Sequence, residues 1–110
     1  PPIEDRAVYQ SIEEVPRCTC GARLRPHIVF FGEIPLEMSR IEREIGKATV
    51  MLVVGTSGSV YPAASFVNWA RHAGARTIYI GRERPLNASS FTNIVEGKAG
   101  EVMPGLFTVD

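Results

Sequence analysis

The chain has 110 residues, enough for one small domain and too few for two. Apolar residues make up 45% of it, and 12 basic and 12 acidic side chains give a formal net charge of zero. This is the composition of an ordinary soluble globular protein. Without an excess of either charge, we expect no nucleic-acid partner and no binding to an anionic membrane surface.

Targeting and membrane segments are not evident. No apolar run approaches the ~18 residues of a membrane span, and the longest, at 49–55, is strand-sized. The opening PPIEDRAVYQ lacks the apolar core and basic flank of a signal peptide. With two cysteines and no export signal, we expect a reducing, cytoplasmic setting. Because the chain begins without Met, we also expect it to be a fragment of a longer protein.

The first half of the chain predicts a loop region, a strand and a helix. Residues 1–17 are polar and bracketed by prolines, which indicates loop with a short helical turn at 11–14. HIVFF at 27–31 is β-branched and aromatic and ends at a glycine, so we predict a strand. Residues 36–47 carry apolar side chains on one side and charges on the other, typical of an amphipathic helix with Pro35 in its first turn.

The second half predicts a buried strand and a helix, followed by shorter elements. TVMLVVG at 49–55 is continuously apolar, as expected of a central strand covered on both faces. A helix is predicted at 62–73, with Pro at its start and Gly74 after its end. Beyond it we predict a strand at 76–80, a weak strand at 93–96 and a short helix at 101–107.

The order β-α-β-α-β, with connections of about a dozen residues, predicts an α/β fold with parallel strands and right-handed crossovers. In such sheets, ligands bind at the carboxyl ends of the strands. Three turns follow predicted strands, so we expect them along one edge of the sheet: Gly32-Glu33, Gly55-Thr56-Ser57-Gly58 and Gly81-Arg82-Glu83.

The turn at 55–58 has two interpretations. Backbone N–H groups and hydroxyls at a strand-to-helix turn can bind phosphate or ribose. A tight turn with a Ser or Thr helix cap explains the same residues equally well. The segment VGTSGSVYPAASF contains neither GxGxxG nor GxxxxGK[ST], so the two commonest phosphate motifs do not decide between them.

Cysteine and histidine offer little complete chemistry. Cys18 and Cys20, in RCTCG, could supply half of a tetrahedral zinc site, which needs about four ligands. His27 has no nucleophile or carboxylate at a diagnostic spacing, so we interpret it as a structural residue at a strand edge. His72 lies near a predicted helix end, where it complements the helix dipole.

Four segments in order resemble the sirtuins, NAD-dependent protein-lysine deacylases, and in particular the bacterial-type branch. They are CGARLRPHIVFFGEIP, VGTSGSVYPAASF, the IYI strand after Gly74-Ala75, and GKAGEVMP. The resemblance covers about residues 15–106 and implies the C-terminal half of a sirtuin catalytic domain, with a Rossmann-like three-layer sheet. It also implies two parts: residues 1–26 as loop and remnant of a small zinc-ribbon module, and 27–110 as the NAD-binding part.

The resemblance further implies residue roles. The NAD contacts would be Gly55, Thr56 and Ser57 at phosphate or adenosine ribose, Gly81, Arg82 and Glu83 around that ribose, and Lys98 and Ala99 against adenine. The acyl-lysine peptide would pair as an added strand between two segments, contacted by Val29, Phe31, Gly32, Glu33, Ser59, Val60 and Tyr61. Metal ligands would be Cys18 and Cys20.

The sequence also departs from the sirtuin pattern. The glycine-rich first turn and the segment with the general-base histidine are missing, so we predict no catalytic residue here and no deacylation by this chain alone. Only the second cysteine pair is present, shortened to Cys18-Thr19-Cys20. Gly81 replaces the usual Asn, which removes a hydrogen bond to ribose worth about 0.5–1.5 kcal/mol. An unpaired sheet edge would favour self-association.

Two other functions remain open. The chain could be a stand-alone remnant that binds NAD or ADP-ribose without catalysis. It could also be the nucleotide-binding domain found in thiamine-diphosphate enzymes, which has a similar sheet. The segments RPHIVFFGE and VYPAA argue against the second, because that domain has no peptide-binding loops.

Overall fold

A computed structural model describes residues 1–107, which fall into an N-terminal unit, Pro1–Glu33, and a C-terminal unit that begins at Ile34. The N-terminal unit has little regular structure. A 3-10 turn at Ile12–Glu14 confirms the predicted helical turn. An antiparallel bridge joins Arg17 to Arg23 around the cysteine turn, where the Cys18 N–H donates to the Ala22 carbonyl at 2.8 Å.

The strand predicted at 27–31 is wrong. These residues form bends and a turn, which the Glu33 N–H closes by donating to the Phe30 carbonyl at 3.1 Å. Their composition suits a strand, but a strand also needs a neighbour to pair with. Within residues 1–107, the segment pairs with no other strand. Its apolar side chains are consequently exposed, from 40% at Val29 to 91% at Phe31.

The C-terminal unit is an α/β sheet, as predicted. Its strands are β1 (Val50–Val54), β2 (Arg76–Gly81) and β3 (Asn93–Glu96), and its helices are α1 (Met38–Lys47), α2 (Phe66–His72) and α3 (Ala99–Leu106). The sheet order is β1-β2-β3, all parallel, with Val54 beside Ile80 and Ile80 beside Val95. β2 is therefore the central strand.

The position of β1 differs from the prediction for TVMLVVG. We expected a central strand covered on both faces, yet β1 lies at the edge of the described sheet. Its two end residues, Val50 and Val54, are 54% and 39% exposed. A continuous apolar run indicates that both faces of the strand are suited to burial. It does not indicate whether a neighbouring strand is present on each side.

The helices begin later than the prolines suggested. Pro35 lies before α1 and not in its first turn. Glu37 has a left-handed backbone (φ 61°), so the helix starts only at Met38. Pro62 follows a cis peptide bond and leads into a 3-10 turn at Ala63–Ser65 before α2. Gly74 does end this helical stretch as predicted, with φ 92° and its N–H donating to Arg71.

The core of the C-terminal unit lies between β2 and its neighbours. Val67 of α2, Tyr79 of β2 and Phe91 pack together, and partly buried side chains from β1 and β3 cover them. The Tyr79 and Phe91 rings lie 5.4 Å apart between centroids. Ile80 and Thr77 are fully buried on the same strand. The best-packed strand of the chain therefore leads directly into the turn at 81–84.

Candidate functional site

Two of the predicted turns meet at one cleft. The turn after β1 and the turn after β2 line a cavity of about 610 Å³ at the carboxyl ends of these parallel strands. Its lining residues are Gly55, Thr56, Ser57, Tyr79, Arg82, Glu83, Arg84 and Leu86. The expected convergence is thus observed for the turns at 55–58 and 81–83. Gly32-Glu33 lies in the N-terminal unit, so its place beside them stays a prediction.

The turn at 55–58 owes its shape to two glycines with left-handed backbones, at φ 66° for Gly55 and 68° for Gly58. The Gly55 N–H donates to the Ile80 carbonyl at 2.9 Å, which extends the sheet by one bond. The Ser57 carbonyl accepts from the Leu86 N–H at 2.8 Å, which ties this turn to the segment after β2.

The hydroxyls in this turn do not cap a helix. Thr56 Oγ1 accepts a bond from the Gly58 N–H at 3.3 Å, and the Ser57 and Ser59 hydroxyls bond each other at 2.7 Å. No side chain caps the 3-10 turn or α2 that follows. Within residues 1–107, the N–H groups of Thr56 and Ser57 donate to no protein acceptor. Successive unpaired N–H groups are a common feature of anion-binding turns.

Tyr79 also belongs to the cleft, although the sequence did not suggest it as a site residue. Its side chain is only 3% exposed, and its hydroxyl donates to the Thr56 carbonyl at 3.0 Å. The signal was available in RTIYIG, because strand alternation places residues 79 and 81 on one face. The sequence pattern alone points to Gly81, because Tyr79 fits an ordinary buried strand position.

The charges of the cleft are exposed. Arg82, Glu83 and Arg84 follow one another at its rim, and no ion pair among the described residues engages them. Two cations against one anion leave the rim with a positive balance. Such a rim favours an anionic ligand over a cationic one.

The predicted adenine contacts lie beside the cleft, outside its lining. Lys98 immediately precedes α3 and pairs with Glu101 at 3.6 Å, while Ala99 is the first residue of the helix. The Gly97 N–H donates to the Gly81 carbonyl at 2.8 Å. This bond brings the start of α3 next to the end of β2.

The predicted peptide contacts fall in two exposed segments. In the C-terminal unit, Val60 and Tyr61 are 47% and 69% exposed, and the Ser59 hydroxyl reaches back to the turn at 55–58. In the N-terminal unit, Val29, Phe31 and Gly32 belong to the exposed bend at 27–33. Both segments therefore have exposed side chains.

Glu33 holds this bend together. Its carboxylate accepts two bonds from the Arg25 guanidinium, at 3.0 and 2.7 Å, and a third from the Phe30 N–H at 3.0 Å. Arg25 also stacks over the Phe30 ring, 4.5 Å from its centroid. The hydrogen bonds from Arg25, and next the bond from the Phe30 N–H, lower the pKa of Glu33. The hydrogen bonds to Glu33 in turn raise the pKa of Arg25. The carboxylate is thus occupied within the bend.

The cysteines form an exposed turn. Cys18 and Cys20 are both free thiols, and the Gly21 N–H donates to the Cys18 carbonyl at 2.9 Å. Hydrogen bonds from the Cys20 backbone, then from its side chain, lower the pKa of Cys18. In the part of the chain that the structure describes, three or more potential metal ligands do not cluster anywhere. His72 bonds the Asn68 carbonyl at 2.8 Å, within its own helix.

No helix among residues 1–107 has the length and apolar character needed to cross a membrane.

Comparison with known proteins identifies the family. The model of the Sir2 family matches residues 3–62. An NAD-dependent protein deacylase of Shewanella oneidensis is 46% identical over 92 residues, which is 81% of this chain and 38% of that protein.

Solved structures agree with this match. A Sir2 homologue in complex with NAD gives a TM-score of 0.78 at 37% identity, over 87% of this chain and 39% of that one. Sir2Af2 bound to a myristoylated histone peptide gives 0.71 at 36% identity, over 84% and 41%. This chain therefore spans about two fifths of the length of these relatives. On these matches and the parallel sheet they share, the chain belongs to the Sir2 family.

Proposed function

We propose that this chain is the part of an NAD-dependent protein-lysine deacylase that binds the cofactor and the acyl-peptide. The observation that carries the proposal is the cleft at the carboxyl ends of β1 and β2, with its unpaired N–H groups and positive rim. A Sir2 homologue of the same fold forms a complex with NAD. A similar Shewanella protein is named a deacylase.

The cleft offers distinct groups to each part of NAD. The N–H groups of Thr56 and Ser57 suit a diphosphate, and their hydroxyls suit ribose. Gly81, Arg82 and Glu83 would surround the adenosine ribose, while Lys98 and Ala99 would lie against adenine. When bound, NAD supplies the ribose carbon that accepts the acyl oxygen of the substrate. The residues of this chain would bind and orient that cofactor.

The acyl-lysine peptide would pair as an added strand. Its proposed contacts are Val29, Phe31, Gly32 and Glu33 in one segment, and Ser59, Val60 and Tyr61 in another. Strand addition derives its affinity from backbone pairing, so it tolerates varied sequences. The myristoylated histone peptide bound to Sir2Af2 supports this class of substrate. Because the Glu33 carboxylate is occupied by Arg25, we assign its contribution to the shape of the bend.

Zinc and catalysis require more than these residues provide. Cys18 and Cys20 fit half of a zinc site, since both thiols are exposed on one turn and the pKa of Cys18 is lowered. They would belong to a small zinc-ribbon module that includes residues 1–26, with residues 27–110 forming the NAD-binding part. We assign no general base to this chain, so it should bind without deacylating. We also propose that the protein is cytoplasmic and that two copies associate through the unpaired edge of β1.

A matched pair of glycine variants tests the cofactor cleft. Gly55 and Gly74 both have left-handed backbones, and a Cβ at either one meets no described atom within 4 Å. Alanine therefore adds a similar backbone strain at both positions. Only Gly55 lines the cleft, whereas Gly74 precedes the opposite end of β2.

Calorimetry with ADP-ribose should show saturable binding by the unmodified chain. Gly74→Ala should leave the affinity unchanged, and Gly55→Ala should weaken it about tenfold or more, because a methyl group enters the ligand space. Equal affinities for the two variants would remove the cleft from the proposal. No heat from the unmodified chain at millimolar ligand would contradict cofactor binding altogether.

A further inference from the structure

Tyr79 occupies the space that a side chain at Gly81 would need. A Cβ on Gly81 would lie 2.2 Å from the Tyr79 hydroxyl oxygen, 2.6 Å from Cζ and 2.8 Å from Cε1. These distances are shorter than any tolerable contact, and the ring cannot retreat easily because it packs against Phe91 in the core. The glycine at the end of β2 and the tyrosine before it are therefore sterically coupled.

Tyr79 is also the only buried residue among those that line the cleft. Its ring belongs to the core cluster, while its hydroxyl reaches the Thr56 carbonyl at 3.0 Å. The side chain thus connects the core of the unit to the turn at 55–58. The bond is costly to break, because the buried Tyr79 hydroxyl would be left without a partner.

We propose that Tyr79 is a positioning residue of the nucleotide cleft, which fixes the peptide unit between Thr56 and Ser57. The peptide unit is planar and trans, so its N–H points opposite to its carbonyl. By holding the Thr56 carbonyl, the hydroxyl therefore fixes the direction of the unpaired Ser57 N–H. The inference rests on the proposed function for its ligand, the diphosphate and ribose of a nucleotide.

The first test removes the hydroxyl alone. Tyr79→Phe keeps the ring and its packing, and calorimetry should show ADP-ribose affinity reduced about twofold to tenfold. The ¹⁵N relaxation order parameter of the Ser57 amide should fall, because its peptide unit loses the bond from Tyr79, and a purely structural role in the core would not move this readout. Tyr9→Phe is the control, because Tyr9 also bonds through its hydroxyl, to Asp5, but lies in the exposed N-terminal segment.

The outcomes separate the two proposals. If the unmodified chain and Tyr79→Phe bind ADP-ribose equally and the Ser57 order parameter is the same in both, the role of Tyr79 is wrong while cofactor binding stands. If the unmodified chain binds no nucleotide, both proposals fail. Weaker binding by Tyr9→Phe as well would also contradict the role of Tyr79, because the effect would not be specific to the cleft.

A double-mutant cycle tests the coupling without any ligand. Gly81→Ala should lower the unfolding midpoint strongly in the unmodified chain, since the new methyl group displaces the Tyr79 ring. In a Tyr79→Leu background, which lacks the atoms nearest to that methyl group, the same change should lower it less. Additive effects in the two backgrounds would overturn the steric coupling.

Discussion

The bend at 27–33 and the turn at 55–58 are both candidate binding segments, yet they are held in different ways. The bend is shaped by an exposed ion pair between Arg25 and Glu33. The turn is shaped by sheet hydrogen bonds and the buried hydroxyl of Tyr79. An exposed ion pair is weakened by added salt and by protonation of its carboxylate, whereas the packing of a buried side chain depends little on either. We therefore expect the bend to change conformation with pH and salt more readily than the turn.

The same contrast appears in burial. No described residue of the N-terminal unit is buried, whereas the C-terminal unit has a continuous core around β2. Stability in residues 34–107 should therefore depend on packing, and the conformation of residues 1–33 on local polar contacts. Substitutions in the two regions should therefore differ strongly in their effect on unfolding free energy.

Core truncation should destabilise the chain far more than truncation in the bend. Ile80 is 0% exposed, so Ile80→Ala should cost about 2–5 kcal/mol of unfolding free energy. Phe31 is 91% exposed, and Phe31→Ala should cost about 0.5 kcal/mol or less. Chemical denaturation measures both. Similar losses for the two variants would contradict the division.

The turn at 55–58 should be intolerant of a side chain at Gly58. Its φ is 68°, and a Cβ there would lie 2.0 Å from Asn87 Oδ1. Asn87 cannot move freely, because its amide donates to the Ala64 carbonyl at 3.0 Å. We expect Gly58→Ala to cost about 1–3 kcal/mol. Gly74→Ala, with backbone strain and no steric clash, should cost less in the same denaturation experiment. Equal losses of unfolding free energy for the two variants would contradict a steric clash with Asn87.

Acid should loosen the bend and spare the turn. The pKa of Glu33 is lowered in the folded chain, so its contribution is present above the ordinary value of 4.5 and is lost as pH falls through the lower folded value. The Phe30 amide, which donates to Glu33, should report this titration by NMR. Its midpoint should lie below 4.5, and Glu33→Gln should abolish it. A midpoint at or above the ordinary value would argue against the ion pair.

The exposed ion pair at the start of α3 should contribute least. Lys98 and Glu101 are 3.6 Å apart with both side chains largely exposed. Lys98→Gln should therefore change the unfolding free energy by about 0.5 kcal/mol or less. A larger loss in chemical denaturation would show that Lys98 is structural, which would weaken its proposed place against adenine.

Sequence reasoning succeeded where local pattern and pairing agree. The strands at 76–80 and 93–96 and the helix ending before Gly74 were all predictable, because each has its partners within the chain. HIVFF failed because β-composition does not supply a neighbouring strand. TVMLVVG was correctly a strand, but its place at the edge depends on which strands are present.

The site was predictable down to its turns and no further. Strand ends and glycines indicated the segments at 55–58 and 81–83, and residues 55–57, 82 and 83 of these segments do line one cleft, whereas Gly58 and Gly81 lie outside its lining. Tyr79 was missed because its role depends on a hydrogen bond to a residue 23 positions away. The ion pair between Arg25 and Glu33 was missed for the same reason. The two residues are eight positions apart, and no regular element between them fixes their spacing.

The most direct test of the cofactor cleft is a ¹H–¹⁵N NMR titration of the chain with ADP-ribose. We expect saturable chemical-shift changes at the amides of 55–57 and 81–84, with smaller changes at 98–99 and none in α1. Shift changes confined to other residues, or none at millimolar ligand, would contradict it.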